Sequence, residues 1–92
     1  MDVNLKNKTA IVCGSTKGIG HAIAFELASL GANITLFARD EAALKNILPR
    51  LDNKNGQQHS YLLADFGYPD QVRDVITDYI SNKNAVHILV NN

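Results

Sequence analysis

Two spacings of apolar residues alternate along the chain. Unbroken apolar runs are typical of strands buried on both faces, whereas apolar positions three and four residues apart are typical of one face of a helix. The unbroken runs predict strands at residues 9–13, 33–38, 60–64 and 86–90. The helical spacing fills each interval between these runs, so the predicted order is β-α-β-α-β-α-β, without a tandem repeat.

Each predicted helix begins or ends at a residue suited to that place. Gly31 ends the first helix, Asp40 is a natural N-cap for the second, and Pro69 suits the first turn of the third. Because Pro49 removes an amide donor, we expect the second helix to kink or end near Leu48. The apolar stripe of the first helix is Ile19, Ile23, Leu27 and Leu30, with Ala24 and Ala28 small enough for close packing on a sheet. The stripe of the second helix is Leu44, Ile47, Leu48 and Leu51. The stripe of the third helix is Val72, Val75, Ile76, Tyr79 and Ile80.

This alternation predicts an α/β fold in which a parallel sheet carries helices on its faces. Right-handed crossovers place strands two and three on one side of strand one and strand four on the other, which gives the strand order 3-2-1-4. Ligands of such sheets bind at the carboxyl ends of the strands, where the order reverses, here between strands one and four. A chain of 92 residues makes at most one domain of this kind.

The segment between the first strand and the first helix is rich in glycine and reads CGSTKGIG. A glycine-rich turn from a strand into a helix presents unpaired amides and the positive end of the helix dipole to an anion. Gly14 permits the tight turn, Gly18 lets the backbone approach a ligand, and Gly20 lets the helix lie close to the strand. A P-loop has Gly-Lys followed by Ser or Thr, so Lys17 ahead of Gly18 disfavours nucleotide-triphosphate hydrolysis. The context favours dinucleotide binding, and a purely structural turn is the alternative.

Two further motifs follow the glycine-rich segment: Asp65-Phe66 after the third predicted strand and Asn91-Asn92 after the fourth. In this order, the three motifs resemble those of the classical short-chain dehydrogenases/reductases. That family has Thr-Gly-x-x-x-Gly-x-Gly after its first strand, and the chain matches it from Gly14 to Gly20, with Cys13 in place of the threonine. An acid and an apolar residue follow the family's third strand, here Asp65-Phe66, and Asn-Asn-Ala-Gly follows its fourth, here begun by Asn91-Asn92. The resemblance covers essentially the whole chain. It implies a Rossmann-type fold in which residues 1–92 are the N-terminal, dinucleotide-binding part.

The resemblance also implies which residues hold the cofactor. The carboxylate of Asp65 accepts from the adenine amino group, and the amide of Phe66 donates to the adenine ring. Asn91 contacts the adenosine ribose through its backbone. The full implied set of cofactor-binding residues is Gly14, Ser15, Thr16, Lys17, Gly18, Ile19, Gly20, Arg39, Asp65, Phe66 and Asn91.

The residues after the second strand favour NADP(H) over NAD(H). An NAD site commonly places an acid at the end of that strand to hold the ribose 2′-hydroxyl, but the strand ends at Ala38. Arg39 follows it, and Lys17 precedes the second motif glycine; in the resembled family a base at either place goes with the 2′-phosphate of NADP. Asp40 is the alternative, an NAD-type acid displaced by two residues, although an aspartate there also suits a helix cap.

The family's catalytic Ser, Tyr and Lys have no counterpart at their expected places in these 92 residues. Tyr79 and Lys83 spell Tyr-x-x-x-Lys, but the family's copy lies on a later helix, and Tyr79 belongs to an apolar stripe that favours core packing. We therefore expect the front portion of a reductase, truncated after the fourth strand, inactive by itself and paired as a homo-oligomer. In the parent protein, hydride passes between the nicotinamide and a carbonyl or alcohol substrate. A non-catalytic dinucleotide-binding or assembly module is the alternative.

The amino-acid composition limits the classes of binding partner and the cellular location that we expect. Nine basic and nine acidic residues give a formal net charge of zero, which argues against nucleic acid and anionic membranes as partners. The sequence has neither a membrane-spanning apolar run nor a signal-peptide core, so we expect a cytoplasmic protein. Cys13 is the single cysteine and forms no internal disulfide. His21, His59 and His87 lie far apart, without the spacing of metal ligands.

Overall fold

The computed structural model describes residues 4–82 and 85–91. Its strands are β1 (Thr9–Cys13), β2 (Asn33–Ala38), β3 (Ser60–Leu63) and β4 (Ile88–Val90). Its helices are α1 (Gly18–Ser29), α2 (Glu41–Ile47) and α3 (Pro69–Ser81), and a short 3-10 helix (Leu48–Arg50) follows α2. None of the helices in this described part of the chain has the length and apolar character needed to cross a membrane.

All strand pairs in the sheet are parallel, and the order is β3-β2-β1-β4, which confirms the predicted topology. β1 lies at the centre, paired along its whole length with β2 and over Ala10 to Val12 with β4. β4 begins at Ile88, later than predicted, but His87 still bonds β1: its amide donates to the Thr9 carbonyl at 2.9 Å, and its ring Nδ1 accepts from the Thr9 amide at 3.0 Å. The central position of β1 brings the glycine-rich segment to the middle of one sheet edge.

The two faces of the sheet are covered by different helices. α1 and α2 pack on one face, around a core that includes Val12, Leu36 and Leu44. α3 packs on the other face, where Val72, Val75, Ile76 and Tyr79 cover a smaller core of Ile11, Phe37 and Ala64. This arrangement is that of a doubly wound α/β fold, with helices on both sides of a parallel sheet.

α1 meets the sheet through its small residues. Gly20, Ala24 and Ala28 are its buried residues, whereas the side chain of Ile19, predicted as part of the buried stripe, is 70% exposed. That prediction is wrong because residues without large side chains let the helix backbone approach the strands, and their face then turns toward the core. Ile19 is left on the first turn, facing outward beside the glycine-rich segment.

The carboxyl end of α1 is closed by a glycine motif and by a distant side chain. Gly31 adopts a φ of 104°, and the amides of Gly31 and Ala32 donate to the carbonyls of Ala28 and Leu27 at 3.0 and 3.1 Å. These two bonds form a Schellman motif, which confirms Gly31 as the end of the helix. In addition, the buried amide of Gln57 donates through Nε2 to the carbonyls of Ala28 and Ala32, at 2.7 and 2.9 Å.

The two ends of α2 follow from single residues. Asp40 adopts an extended conformation and accepts through Oδ1 from the amide of Ala43 at 3.1 Å, so it caps the helix as predicted. At the other end, α2 stops at Ile47 and the chain tightens into the 3-10 helix that contains Pro49. This confirms the expected early end near Leu48.

The ring of His59 also supports an end of the sheet. Its Nδ1 accepts from the amide of Ile34 at 3.0 Å, and its Nε2 lies 2.8 Å from the carbonyl of Asp52, to which it donates. His59 and His87 thus each supply an acceptor to the amino end of a neighbouring strand. Within residues 4–82 and 85–91, no group of histidine, cysteine and acidic side chains is arranged to hold a metal ion.

Replacing Gln57 with leucine is expected to lower the free energy of unfolding by about 1–3 kcal/mol, because the buried carbonyl of Ala32 would lose its side-chain donor and that of Ala28 would keep the Gly31 amide but lose Gln57. Urea denaturation followed by circular dichroism measures the change. Gln58→Leu is the matched control, since Gln58 is exposed and its side chain makes no hydrogen bond to any residue that the structure describes. Equal stability of the two variants would contradict the assigned role of the Gln57 side chain.

Cys13 provides a second test, because burial raises the pKa of its thiol. The thiolate is the reactive form, so the rate of modification by a disulfide reagent should rise with pH around a midpoint above that of the urea-unfolded chain. Since the folded state disfavours the thiolate, stability should also fall as the pH rises past the ordinary thiol pKa toward the raised value. Cys13 is the single cysteine, so the Cys13→Ala variant is the control without a reactive thiol. Coincident midpoints for folded and unfolded chains would refute the effect.

Candidate functional site

A cleft of about 270 Å³ opens at the carboxyl edge of the sheet. Its walls come from residues that follow or end three neighbouring strands: the glycine-rich segment after β1, the end of β2, and the turn after β3. The lining residues are Gly14, Thr16, Lys17, Ala38, Arg39, Asp65 and Phe66. Six of these are among the cofactor-binding residues expected from the sequence. The cleft runs from the glycine-rich segment toward β3, away from the β4 side of β1.

The backbone of the glycine-rich segment is free to bind an anion. The amide of Gly14 continues the ladder by donating to the carbonyl of Phe37 at 2.9 Å. Beyond it, residues 14–16 form a turn, and the amides from Ser15 to Gly20 make no hydrogen bond of good geometry within the described part of the chain. α1 starts without a capping side chain at Lys17 and without an acid in its first turn. Unpaired amides and the positive end of the helix dipole therefore meet at one place.

Gly18 and Ser15 give this segment its shape. Gly18 adopts a φ of 67°, a conformation that other residues rarely adopt, although a Cβ there would meet no atom within 4 Å. The backbone conformation, rather than lack of space, therefore requires glycine. Ser15 is fully buried, and its Oγ has no hydrogen-bond partner among the described residues. Buried hydroxyls are normally satisfied, so this atom fits a site that a ligand or water completes.

Arg39 and Asp65 face each other across the cleft. Nη1 of Arg39 lies 3.8 Å from Oδ2 of Asp65, and 78% of the Arg39 side chain is exposed. An exposed pair of this kind contributes about 1 kcal/mol or less, so the guanidinium remains available to another anion. The cations of Arg39 and Lys17 line the same cleft as the free amides, which makes that edge attractive to phosphate groups.

The turn after β3 contains two of the predicted residues, Asp65 and Phe66. It is also contacted by Gln71 of α3, which the sequence analysis did not identify. Phe66 is partly exposed and its ring lies 5.0 Å from that of Phe37, so it forms an aromatic wall of the cleft. Asp65 accepts through Oδ1 from the amide of Gly67 at 2.9 Å. The amide of Asp65 donates to Oε1 of Gln71 at 2.6 Å. Gln71 lies outside every motif, and only the three-dimensional contact identifies it.

The remaining predicted residues lie around the cleft rather than on it. Gly18, Ile19 and Gly20 form the first turn of α1, and Ser15 is buried beneath the loop. Asn91 is exposed and follows Val90, whose partner in β1 is Val12, so it lies level with Cys13 on the β4 side of the segment. Its neighbour Asn92 lies outside the described residues.

The Tyr79 hydroxyl lies at the opposite end of the sheet. It is 3.0 Å from Oγ1 of Thr35 and lines a cavity of about 510 Å³ together with Thr9, Asn33 and Ser60, the first residues of three strands. The ring packs in the core beneath α3. This confirms core packing for Tyr79. Lys83, the other end of the Tyr-x-x-x-Lys match, lies outside the described residues.

Comparison with known proteins agrees with the motifs. Residues 8–92 match the family model described as short chain dehydrogenase. The 3-oxoacyl-(acyl-carrier-protein) reductase FabG of Chlamydia trachomatis is 34% identical over 88 residues, which cover 96% of this chain and 36% of that protein. A tropinone reductase homolog of Arabidopsis thaliana is 37% identical over 91 residues, which cover 97% of this chain and 28% of that protein.

Solved structures show the same fold. L-sorbose reductase from Gluconobacter frateurii, in complex with NADPH and L-sorbose, has a TM-score of 0.86 at 36% identity over 100% of this chain and 35% of its own. A metagenomic short-chain oxidoreductase in complex with NADP has a TM-score of 0.84 at 32% identity over 96% of this chain and 39% of its own. The chain thus covers between 28% and 39% of the length of these four proteins. From residue 8 onward, it belongs to the short-chain dehydrogenase family.

Proposed function

We propose that the chain is the NADP(H)-binding portion of a short-chain dehydrogenase/reductase. The observation that supports this most directly is that unpaired backbone amides and the cationic side chains of Lys17 and Arg39 lie at the same cleft. Two structural relatives whose chains match this one were solved with NADPH and with NADP. A phosphorylated dinucleotide carries anionic groups at both its pyrophosphate and its 2′-position. The cleft offers backbone amides to the pyrophosphate and a guanidinium to the 2′-phosphate.

Each part of the cleft has a distinct role in this proposal. The amides around Gly18, with the Thr16 hydroxyl, hold the pyrophosphate at the positive end of α1. The buried Ser15 hydroxyl takes part through a bridging water. Arg39 pairs with the 2′-phosphate, for which a guanidinium is well suited. Asp65 accepts from the adenine amino group. The first turn of α1, through Ile19 and Gly20, and the backbone of Asn91 contact the rest of the adenosine diphosphate.

Asp40 does not favour the alternative NAD-type site. Its carboxylate is engaged with the amide of Ala43 at the start of α2, and it does not line the cleft. An acid that holds a ribose 2′-hydroxyl would have to reach the cleft from the end of β2, where Ala38 and Arg39 stand. The proposed preference is therefore NADP(H) over NAD(H).

The bound nicotinamide supplies hydride transfer to or from a carbonyl or alcohol carbon. No tyrosine is among the described residues that line the cleft, and the Tyr79 hydroxyl lies at the opposite sheet edge. Proton transfer requires a donor within hydrogen-bond reach of the reacting oxygen. We therefore propose that these 92 residues bind the cofactor without reducing a carbonyl compound, and that the parent protein provides the proton donor.

A second candidate is a non-catalytic dinucleotide-binding or assembly module. The edge strand β4 supports it, because Leu89 lies on the same face as Ile11 and is nevertheless 64% exposed. Exposed apolar groups on an open strand edge favour pairing with another chain. A homo-oligomer is therefore part of the proposal in either case.

Replacing Arg39 with alanine should weaken NADPH binding about 10- to 100-fold and leave NADH binding within about threefold, because a charge-assisted contact to the 2′-phosphate is worth about 1.5–3 kcal/mol. Titration calorimetry with both cofactors measures the effect. Arg73→Ala is the matched control, since Arg73 is similarly exposed on α3 and, among the described residues, pairs with Asp70 alone. Equal losses for both cofactors would refute the assignment of Arg39 to the 2′-phosphate.

The 92-residue chain, mixed with NADPH and a ketone such as L-sorbose, should oxidise no NADPH above the rate without protein. The physical reason is the distance of the Tyr79 hydroxyl from the cleft. Loss of NADPH absorbance over time measures the reaction. Turnover by the chain that is abolished by Tyr79→Phe would overturn both the predicted inactivity and the structural role of Tyr79.

A further inference from the structure

The turn that follows β3 is held by a side chain from α3. Oε1 of Gln71 accepts from the backbone amide of Asp65 at 2.6 Å. The carbonyl of Asp65 accepts from the amide of Tyr68 at 2.9 Å, and its Oδ1 accepts from the amide of Gly67 at 2.9 Å. Both backbone groups of Asp65 and one carboxylate oxygen are therefore engaged within the turn. The other oxygen, Oδ2, faces Arg39.

Gln71 reaches farther than helix capping requires. It is the third residue of α3, the position from which a glutamine in a capping box bonds the amide of the N-cap residue. The N-cap here is Tyr68, which provides no side-chain cap. Gln71 instead bonds the backbone amide of Asp65, which lies three residues before Tyr68 and lines the cleft. Its contact therefore holds the binding turn as well as the start of the helix.

Gln71 also lies beside the charged pair of the cleft. A neighbouring cavity of about 380 Å³ is lined by Arg39, Leu63, Ala64, Asp65 and Gln71. Displacing the Asp65 backbone would move its carboxylate relative to Arg39, since the two are in direct contact at 3.8 Å. A substitution at Gln71 can thus change both the adenine acceptor and the availability of the guanidinium. A charge introduced there would act on Arg39 across the same cavity.

We propose that Gln71 is a positioning residue for adenosine recognition, which holds Asp65 and Phe66 in place and tunes the selectivity for a 2′-phosphate through the Asp65 and Arg39 pair. This inference rests on the proposed function of the cleft. Gln71 touches neither the cofactor nor the reacting atoms in this proposal. Its effect passes through the backbone of Asp65.

Two substitutions distinguish a role of Gln71 in positioning Asp65 from a role in the stability of the fold. Gln71→Met keeps the length of the side chain and removes the acceptor, whereas Gln71→Glu keeps an acceptor oxygen and adds a negative charge beside Arg39. The probes are ADP and its 2′-phosphorylated form, adenosine 2′-phosphate 5′-diphosphate, which test the adenosine end without the nicotinamide. Gln58→Met is the matched control, an exposed glutamine whose side chain makes no bond in the described chain. Affinities are measured by calorimetry at a temperature at which thermal melts show every variant folded.

We expect Gln71→Met to weaken both probes by a similar factor of about 5 to 10, the effect of losing one hydrogen bond that orders the site. Gln71→Glu should restore ADP binding to within about twofold of the parent chain while weakening the 2′-phosphorylated probe about three- to tenfold, through charge repulsion. The amide proton of Asp65 should resonate far downfield in the parent chain and in Gln71→Glu, and move upfield in Gln71→Met. Gln58→Met should change none of these quantities.

The outcomes distinguish this inference from the function on which it rests. If the parent chain binds neither probe, the proposed dinucleotide cleft is wrong and the role of Gln71 is wrong with it. If the parent chain binds both probes and Gln71→Met leaves their affinities unchanged, the role of Gln71 alone is overturned. A change in melting temperature without a change in affinity or in the ratio of the two probes would assign Gln71 to helix capping only, which also overturns the proposal.

Discussion

Parallel pairing of β1 with strands on both of its sides is the constraint on which the rest of the molecule depends. Because the neighbouring strands run in the same direction, their carboxyl ends meet at one edge, and α1 must start from that edge. The ladder ends with the amide of Gly14 bonded to Phe37. The amides that follow have left the strand and have not yet found partners in the helix, so their donors remain for a ligand.

The charges of the cleft act together with this backbone arrangement. The chain as a whole has no net charge, yet Lys17 and Arg39 line the same cleft and α1 has no acid in its first turn. Asp65 is the acidic residue of the cleft lining, and its two oxygens face Gly67 and Arg39. Local placement of a few ionic groups, rather than total charge, therefore makes this edge suitable for a phosphorylated ligand.

The packing of α1 shows why some side chains could be placed from sequence and others could not. Apolar spacing located the helix, but it ranked Ile19 with the buried stripe, and close contact with the sheet instead selected Gly20, Ala24 and Ala28. The roles of Gln57, His87 and Gln71 were also hidden. Each of these side chains bonds a backbone group in another element, at separations of 29, 78 and 6 residues, and no short motif encodes such a contact.

The sequence by itself determined the element order, the strand order, the glycine-rich turn and the family, because these follow from periodicity, crossover handedness and local motifs. It also identified six of the residues that line the cleft, since each immediately follows or nearly follows a strand. The tertiary structure alone decided which helix face is buried, which distant side chains close the backbone at element ends, and that Tyr79 and the cleft lie at opposite edges. The physical reason is that these features depend on how closely separate elements approach one another, and that distance is set only when the whole sheet and its helices pack together.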